Sequence, residues 1–175
     1  MLGTFERVMV ETYWRESRTI AHGGMEYLGG GSYRAVYGYG DGRYVVKEEY
    51  AGGSENLSEW RNWLALGGSS FSVKMRKGYR VALPRMVYLQ SVNIILAERT
   101  PEPCNHSRRY PDFHDHGLPC PRNLQDELDD LFRDMHTGNC VWWKGRLYVI
   151  DLGVSWEPEK WERRYRDLRK SSSGA

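Results

Sequence analysis

The sequence predicts an α+β fold: an antiparallel sheet with an associated helix, followed by a smaller second part. Three observations carry that expectation. Residues 25–50 break into short runs rich in β-branched and aromatic residues, YL, AVYGYG and RYVVKEEY, separated by glycines, the composition of strands joined by tight turns. Residues 54–66 switch to helical spacing. Residues 141–150 return to two apolar runs flanking Lys144-Gly145, the pattern of a further hairpin.

Taken in order, Phe5, Val8, Met9 and Thr12 recur at helical spacing with charges between them, so an amphipathic helix over about Phe5 to Arg18 is expected to cover the sheet. Met25 to Tyr50 follows as three antiparallel strands, with Asp41-Gly42 supplying the left-handed turn of a tight hairpin. Ser54 is the expected helix cap. Leu57, Trp60, Trp63, Leu64 and Leu66 then fall on one side of the helix, and Gly67-Gly68 ends it. Two more strand candidates, VALPRMVYL and VNIILAE, lie between Arg80 and Glu98. Pro101 to Asn123 is rich in Pro, His, Arg and Asp without a period and reads as loop. Asn123 caps a helix running to Phe132, with acids early in its first turn. The hairpin around Lys144-Gly145 delivers Asp151 at its end, Glu157 to Lys170 fits an exposed helix, and residues 171–175 form a polar tail.

At 175 residues the chain is long enough for one core, or for two small lobes sharing a cleft. A formal charge of +2, from 25 basic and 23 acidic residues, gives no global field for a polyanion, so nucleic acid is not implied. No run approaches the ~18 apolar residues of a membrane span, and the first residues, with Glu6, Glu11 and Glu16 among them, lack the apolar stretch of a secretory signal. A cytoplasmic location is expected. Cys104, Cys120 and Cys140 are three and not closely paired, so free thiols are expected.

The residues that carry chemistry come in an ordered set. Asp134-Met135-His136-Thr137-Gly138-Asn139 is followed, twelve positions after Asn139, by Asp151-Leu152-Gly153. One carboxylate beside an incoming hydroxyl, with an amide and a second carboxylate for a divalent cation, is what phosphoryl transfer demands of a protein. Upstream, Gly29-Gly30-Gly31-Ser32-Tyr33-Arg34-Ala35-Val36 is a glycine-rich turn between apolar segments, and Val45-Val46-Lys47 closes a strand-like run. Each piece also has a plainer reading: a hairpin turn for the glycines, an edge lysine beside a solvated Glu48-Glu49 pair for Lys47, and turn residues for Asp134 and Asn139.

Together, LGGGSYRAVY, YVVK, FRDMHTGN and VIDLG resemble the glycine-rich loop, strand lysine, catalytic loop and metal-binding triplet of the protein-kinase-like superfamily, over about residues 25 to 155. The DMHTGN loop is similar to that of phage-encoded serine/threonine protein kinases. The resemblance implies a minimal two-lobed kinase-like domain over 1–175, with a first lobe at about 20–98, a hinge at 98–101 and a reduced second lobe at 102–170. It implies ATP and Mg2+ as cofactors. Gly29, Gly30 and Gly31 would admit the phosphates, Val36 would pack on the adenine, and Lys47 would neutralise the phosphates while held by Glu59. Glu55, in the first turn of the same helix, suits the helix dipole instead. Asp134 would take the hydroxyl proton, Asn139 and Asp151 would hold magnesium, and His136 would either donate to the γ-phosphate or brace its loop.

The chain also departs from that pattern. Arg34 stands where the third glycine is usual, implying a looser or differently charged loop, and Phe132 replaces a histidine. The 22 residues after Gly153 (175 minus 153) leave no room for a long activation segment, so Arg133 has no evident phosphate to answer. Two features lie apart from the set. Cys104, His106, His114, His116 and Cys120 supply enough ligands for a structural Zn2+, or are loop surface residues, since their spacing matches no standard zinc motif. Lys160 to Lys170 is basic, with Trp161 and Tyr165 four apart, and fits either a docking helix for an acidic partner or a lid.

Three functions follow from the resemblance. The first is a phage-type kinase acting on Ser or Thr of host proteins in the host cytoplasm, with the C-terminal serines as self-modification targets. The second is a small-molecule kinase of the aminoglycoside-phosphotransferase type. The third is an inactive pseudokinase that binds or inhibits a partner.

Overall fold

The computed structural model describes residues 3–19, 25–31, 33–50, 53–75, 78–101 and 139–152. The expected α+β architecture is present. The described residues fall into two compact units, Met1–Arg61 with Pro84–Arg99 and Asn62–Leu83 with Thr100–Ala175. The expected loop at 102–123, the following helix, Asp134 and His136, the cysteine and histidine cluster and the C-terminal basic segment lie outside the described residues.

In the first unit, helix α1 (Thr4–Thr19) precedes strands β1 (Glu26–Gly30), β2 (Arg34–Tyr39) and β3 (Tyr44–Glu49), the three antiparallel strands that the glycine-punctuated runs predict. The β2–β3 turn has Gly40, Asp41 and Gly42 at φ 64°, 54° and 75°, the left-handed backbone such a turn needs. Helix α2 (Glu55–Ala65) follows, its residues from Asn62 on belonging to the second unit, and β6 (Met86–Leu89) and β7 (Ile94–Glu98) complete a five-stranded sheet in the order β1-β2-β3-β7-β6. Strand β3 is therefore central, which removes the edge-lysine reading of Lys47.

Side chains alternate across the two faces of this sheet. Tyr39, Tyr44, Val46, Val87, Ile94 and Leu96 form a core with Met9 and Tyr13 of α1. The amphipathic stripe of α1 differs in detail from the expected one: Met9 and Thr12 are buried as predicted, but Val8 is 40% exposed and Tyr13 takes the inward position. Tyr13 lies four positions after Met9, one helical turn along the same face. Tyr39 sits on the same apolar layer, its hydroxyl donating to the Met9 carbonyl at 3.3 Å, and burial pushes its phenol well above the usual tyrosine range.

In the second unit, β4 (Ser72–Lys74), β5 (Arg80–Ala82), β8 (Cys140–Trp143) and β9 (Arg146–Val149) form a sheet in the order β4-β5-β9-β8. The β8–β9 hairpin turns at Lys144-Gly145 as expected, both with positive φ, 49° and 71°. Phe71, Val81, Leu147 and Val149 are the center of its apolar core, and Cys140 is a buried free thiol within it.

VALPRMVYL is not one strand. It divides at Leu83-Pro84-Arg85 into β5 and β6, which belong to different sheets, because proline has no N–H to offer a ladder. Strand β4 went unread in the sequence. Among the described residues, no helix is long and apolar enough to cross a membrane.

Candidate functional site

The second face of the five-stranded sheet holds the sequence-predicted Val36 and Lys47. Val36 pairs with Lys47, Lys47 with Ile95, and Ile95 with Tyr88, so these four residues form one row pointing to the same side. The flanking row runs through Val45, Ala97 and Met86. Lys47 thus stands among apolar neighbours, opposite to the face that α1 covers.

Helix α2 brings polar groups to this face. Its apolar residues follow the predicted stripe only in part: Trp60 lies against Tyr88, and Trp63 and Leu66 pack in the second apolar core, but Leu64 is 52% exposed and the fully buried residues of the helix are Asn56 and Glu59. Lys47 Nζ donates to Glu59 Oε1 at 2.7 Å. The expected partnership of Lys47 with Glu59 is therefore present, and it is buried, with Glu59 side chain 0% and Lys47 side chain 8% exposed. Asn56 lies three positions earlier, on the same helical face. Its amide donates to the Lys47 carbonyl at 2.9 Å and to the Asn93 carbonyl at 2.8 Å. Glu49 accepts the Asn56 backbone N–H and, at 2.8 Å, the Asn93 side-chain amide. A carboxylate from β3 thus satisfies one of the open N–H groups of the helix start, where the sequence points to Ser54. Nor is Glu49 a merely solvated acid.

The glycine-rich segment forms the β1–β2 turn, so the hairpin reading and the loop reading describe the same object. Gly29 pairs with Val36 and Gly30 with Ala35 across it, and Gly31 N–H donates to the Arg34 carbonyl at 3.0 Å. Gly29 has φ 147°, which favours glycine, and a Cβ at Gly30 would lie 2.9 Å from the Arg34 carbonyl oxygen. A Cβ at Gly29 or Gly31 would meet nothing within 4 Å, so there is open space beside the backbone there.

Arg34 does not leave the loop open or charged at its surface. Its guanidinium turns inward, with Nη1 2.5 Å from Glu59 Oε2 and 3.4 Å from Asn56 Oδ1. Sequence reasoning missed this pairing and the inward role of Asn56. For Asn56 a signal existed: an amide and an acid at i, i+3 share one face of the helix.

In the second unit, Asn139 and Asp151 stand at the same end of the β8–β9 hairpin, just before and just after its strands. Ile150 N–H donates to the Asn139 carbonyl at 2.9 Å, which holds the two segments together there. Both residues are partly exposed. Asn62 Nδ2, on α2, donates to the Leu152 carbonyl at 2.9 Å and so anchors the chain immediately after Asp151. Among the described residues no cluster of three or more His, Cys, Asp or Glu side chains suited to a metal occurs. Asn139 and Asp151 instead offer an amide oxygen and a carboxylate, hard donors of the type magnesium takes, one or two from protein and the rest from water and phosphate.

No protein-family model and no curated protein matches the sequence. Among solved structures, the chain is similar to the ADP-bound aminoglycoside phosphotransferase APH(2'')-Ib, with a TM-score of 0.44 and 15% identity, covering 93% of this chain and 81% of that one. It is also similar to APH(2")-IIa in its ternary complex with streptomycin and ATP, with a TM-score of 0.43 and 13% identity, covering 100% of this chain and 85% of that one.

Proposed function

We propose that this protein is an ATP-dependent phosphotransferase of the protein-kinase-like kind. The observation that carries the reading is the buried Lys47–Glu59 pair at 2.7 Å, on a sheet face shared with Val36 and adjoining a glycine turn. Burying a lysine and a glutamate side by side is costly and is rarely the cheapest way to stabilise a sheet. An ammonium fixed by a carboxylate, on a sheet whose glycine turn leaves open space beside its backbone, suits the phosphates of a nucleotide. Apolar Val36, Ala97 and Ile95 on the same face suit a flat base.

In this reading Asn139 and Asp151 hold magnesium, which when bound neutralises charge on the phosphoryl group being transferred. Asp134 orients the acceptor hydroxyl and takes its proton, and His136 lies two positions beyond it in the same run. The acceptor is a hydroxyl of a small molecule, as for an aminoglycoside-type kinase, or of Ser or Thr in a host protein. The DMHTGN run serves both.

The test is transfer of label from γ-labelled ATP with magnesium to the chain itself, to lysate proteins, and to a panel of aminoglycosides and other small polyhydroxy compounds. Label in a pool, lost in Lys47→Ala and in Asp151→Ala, supports the reading, and the pool that is labelled names the acceptor class. Absence of label from all pools ends it in favour of a binding protein without turnover.

A further inference from the structure

We infer that Arg34 is a positioning residue that presets Glu59, and through it Lys47, for nucleotide; this rests on the proposed nucleotide site and deepens it. Arg34 is the first residue of β2, directly after the glycine turn, and its carbonyl closes that turn. Its side chain is only 10% exposed, and Glu59 is fully buried. The two oxygens of one carboxylate are thus divided between two strands, Oε1 taking the Lys47 ammonium at 2.7 Å and Oε2 the Arg34 guanidinium at 2.5 Å.

The division has a physical consequence. A lysine ammonium is a point charge on a flexible stem and fixes distance more than orientation, whereas a planar guanidinium also fixes direction. With Arg34 in place one carboxylate oxygen is held from a neighbouring strand, by the Nη1 that also lies 3.4 Å from Asn56 Oδ1, and the other oxygen draws Lys47 to a defined spot. The arrangement also lets Lys47 lean toward a phosphate without stripping Glu59 of its positive partner, a loss that would leave a buried carboxylate uncompensated. The residue that interrupts the glycine pattern therefore prepares the site from behind, and does not itself grip the nucleotide.

Equilibrium binding of Mg·ATP to the full chain tests this, with Arg34→Ala, Arg34→Lys, Glu59→Gln and the double variant Arg34→Ala/Glu59→Gln. Loss of one charge-assisted contact predicts roughly tenfold weaker binding in R34A, and a smaller loss in R34K, which keeps the charge without the fork. In the E59Q background the R34A change should add less than about twofold, because its route to Lys47 is already cut. If R34A does not fold, R34K carries the test, with binding weakened about threefold as the supporting result. R34A or R34K that binds as tightly as wild type overturns the inference, as does a full tenfold loss persisting in E59Q, which would mean direct contact with nucleotide. Wild type that binds no ATP overturns the nucleotide reading and this inference with it.

Discussion

The two units treat buried polarity in opposite ways. In the first, one face of the sheet buries Arg34, Lys47, Asn56 and Glu59, every one engaged in a hydrogen bond or ion pair, while the other face is an apolar layer under α1. In the second, the core around Phe71, Val81, Leu147 and Val149 is apolar, and Asn139 and Asp151, the proposed magnesium ligands, stand partly exposed at the end of a hairpin. Buried charges depend on one another, because each is tolerable only while its partner is present. Groups at a rim still reach water and can be lost singly. On the proposed function, the first unit joins stability and activity in the same side chains, and the second keeps them apart.

The sharpest way to break that contrast is Glu59→Ala. It leaves Lys47 and Arg34 buried without their shared carboxylate, which predicts a stability loss of about 3–5 kcal/mol. Urea unfolding with the midpoint and slope both recorded measures it, and a loss below about 1 kcal/mol would show that the ion pairs are dispensable to the fold. Glu59→Gln keeps the shape and removes the charge, so it should fall between. Asp151→Ala is the counterpart in the second unit. Stability should move by no more than about 0.5 kcal/mol, as for a surface change. Transfer should drop on the order of a hundredfold or more, because a group serving the metal is worth several kcal/mol at the transition state. Unfolding and labelled-ATP transfer on the same preparation decide between the two. An Asp151→Ala protein that loses stability as Glu59→Ala does would erase the difference between the units.

How much of this was readable in the chain follows the range of the interactions. The β1–β2–β3 strands, the Asp41-Gly42 turn and the Lys144-Gly145 hairpin were legible because turn chemistry and strand composition are local. The pairing of Lys47 with Glu59 was legible only through the kinase-like resemblance, which implies a carboxylate from the next helix, where Glu59 offers one in the middle. The placement of Arg34 was not. An arginine after a glycine turn reads as solvated, and only the approach of a helix 25 positions away in sequence draws it inward. The helix face was read only in part: Trp63 and Leu66 do join an apolar core, but Leu64 is exposed and the fully buried helix residues are Asn56 and Glu59, because the sheet face that α2 meets already carries Lys47. Pro84 was a visible signal that VALPRMVYL divides, outweighed by the apolar run around it. Asp134 and His136 rest on the sequence alone, since they lie outside the described residues.

The smallest predicted effect lies within the second unit. Asn62 donates one hydrogen bond from α2 to the Leu152 carbonyl at 2.9 Å, next to Asp151. Removing a single partly buried neutral hydrogen bond costs about 1 kcal/mol, so Asn62→Ala should destabilise the protein by that amount. Because the bond fixes backbone rather than the carboxylate itself, transfer should fall by less than tenfold, mostly as a higher magnesium requirement. Asn62→Asp tests the cause. Aspartate has nearly the same shape but only accepts, and it would set a negative charge against a carbonyl oxygen. It should therefore be worse than alanine in both stability and magnesium dependence. If aspartate matches wild type, the amide is not holding Leu152, and the position of Asp151 is set by the hairpin alone through the bond from Ile150 to Asn139.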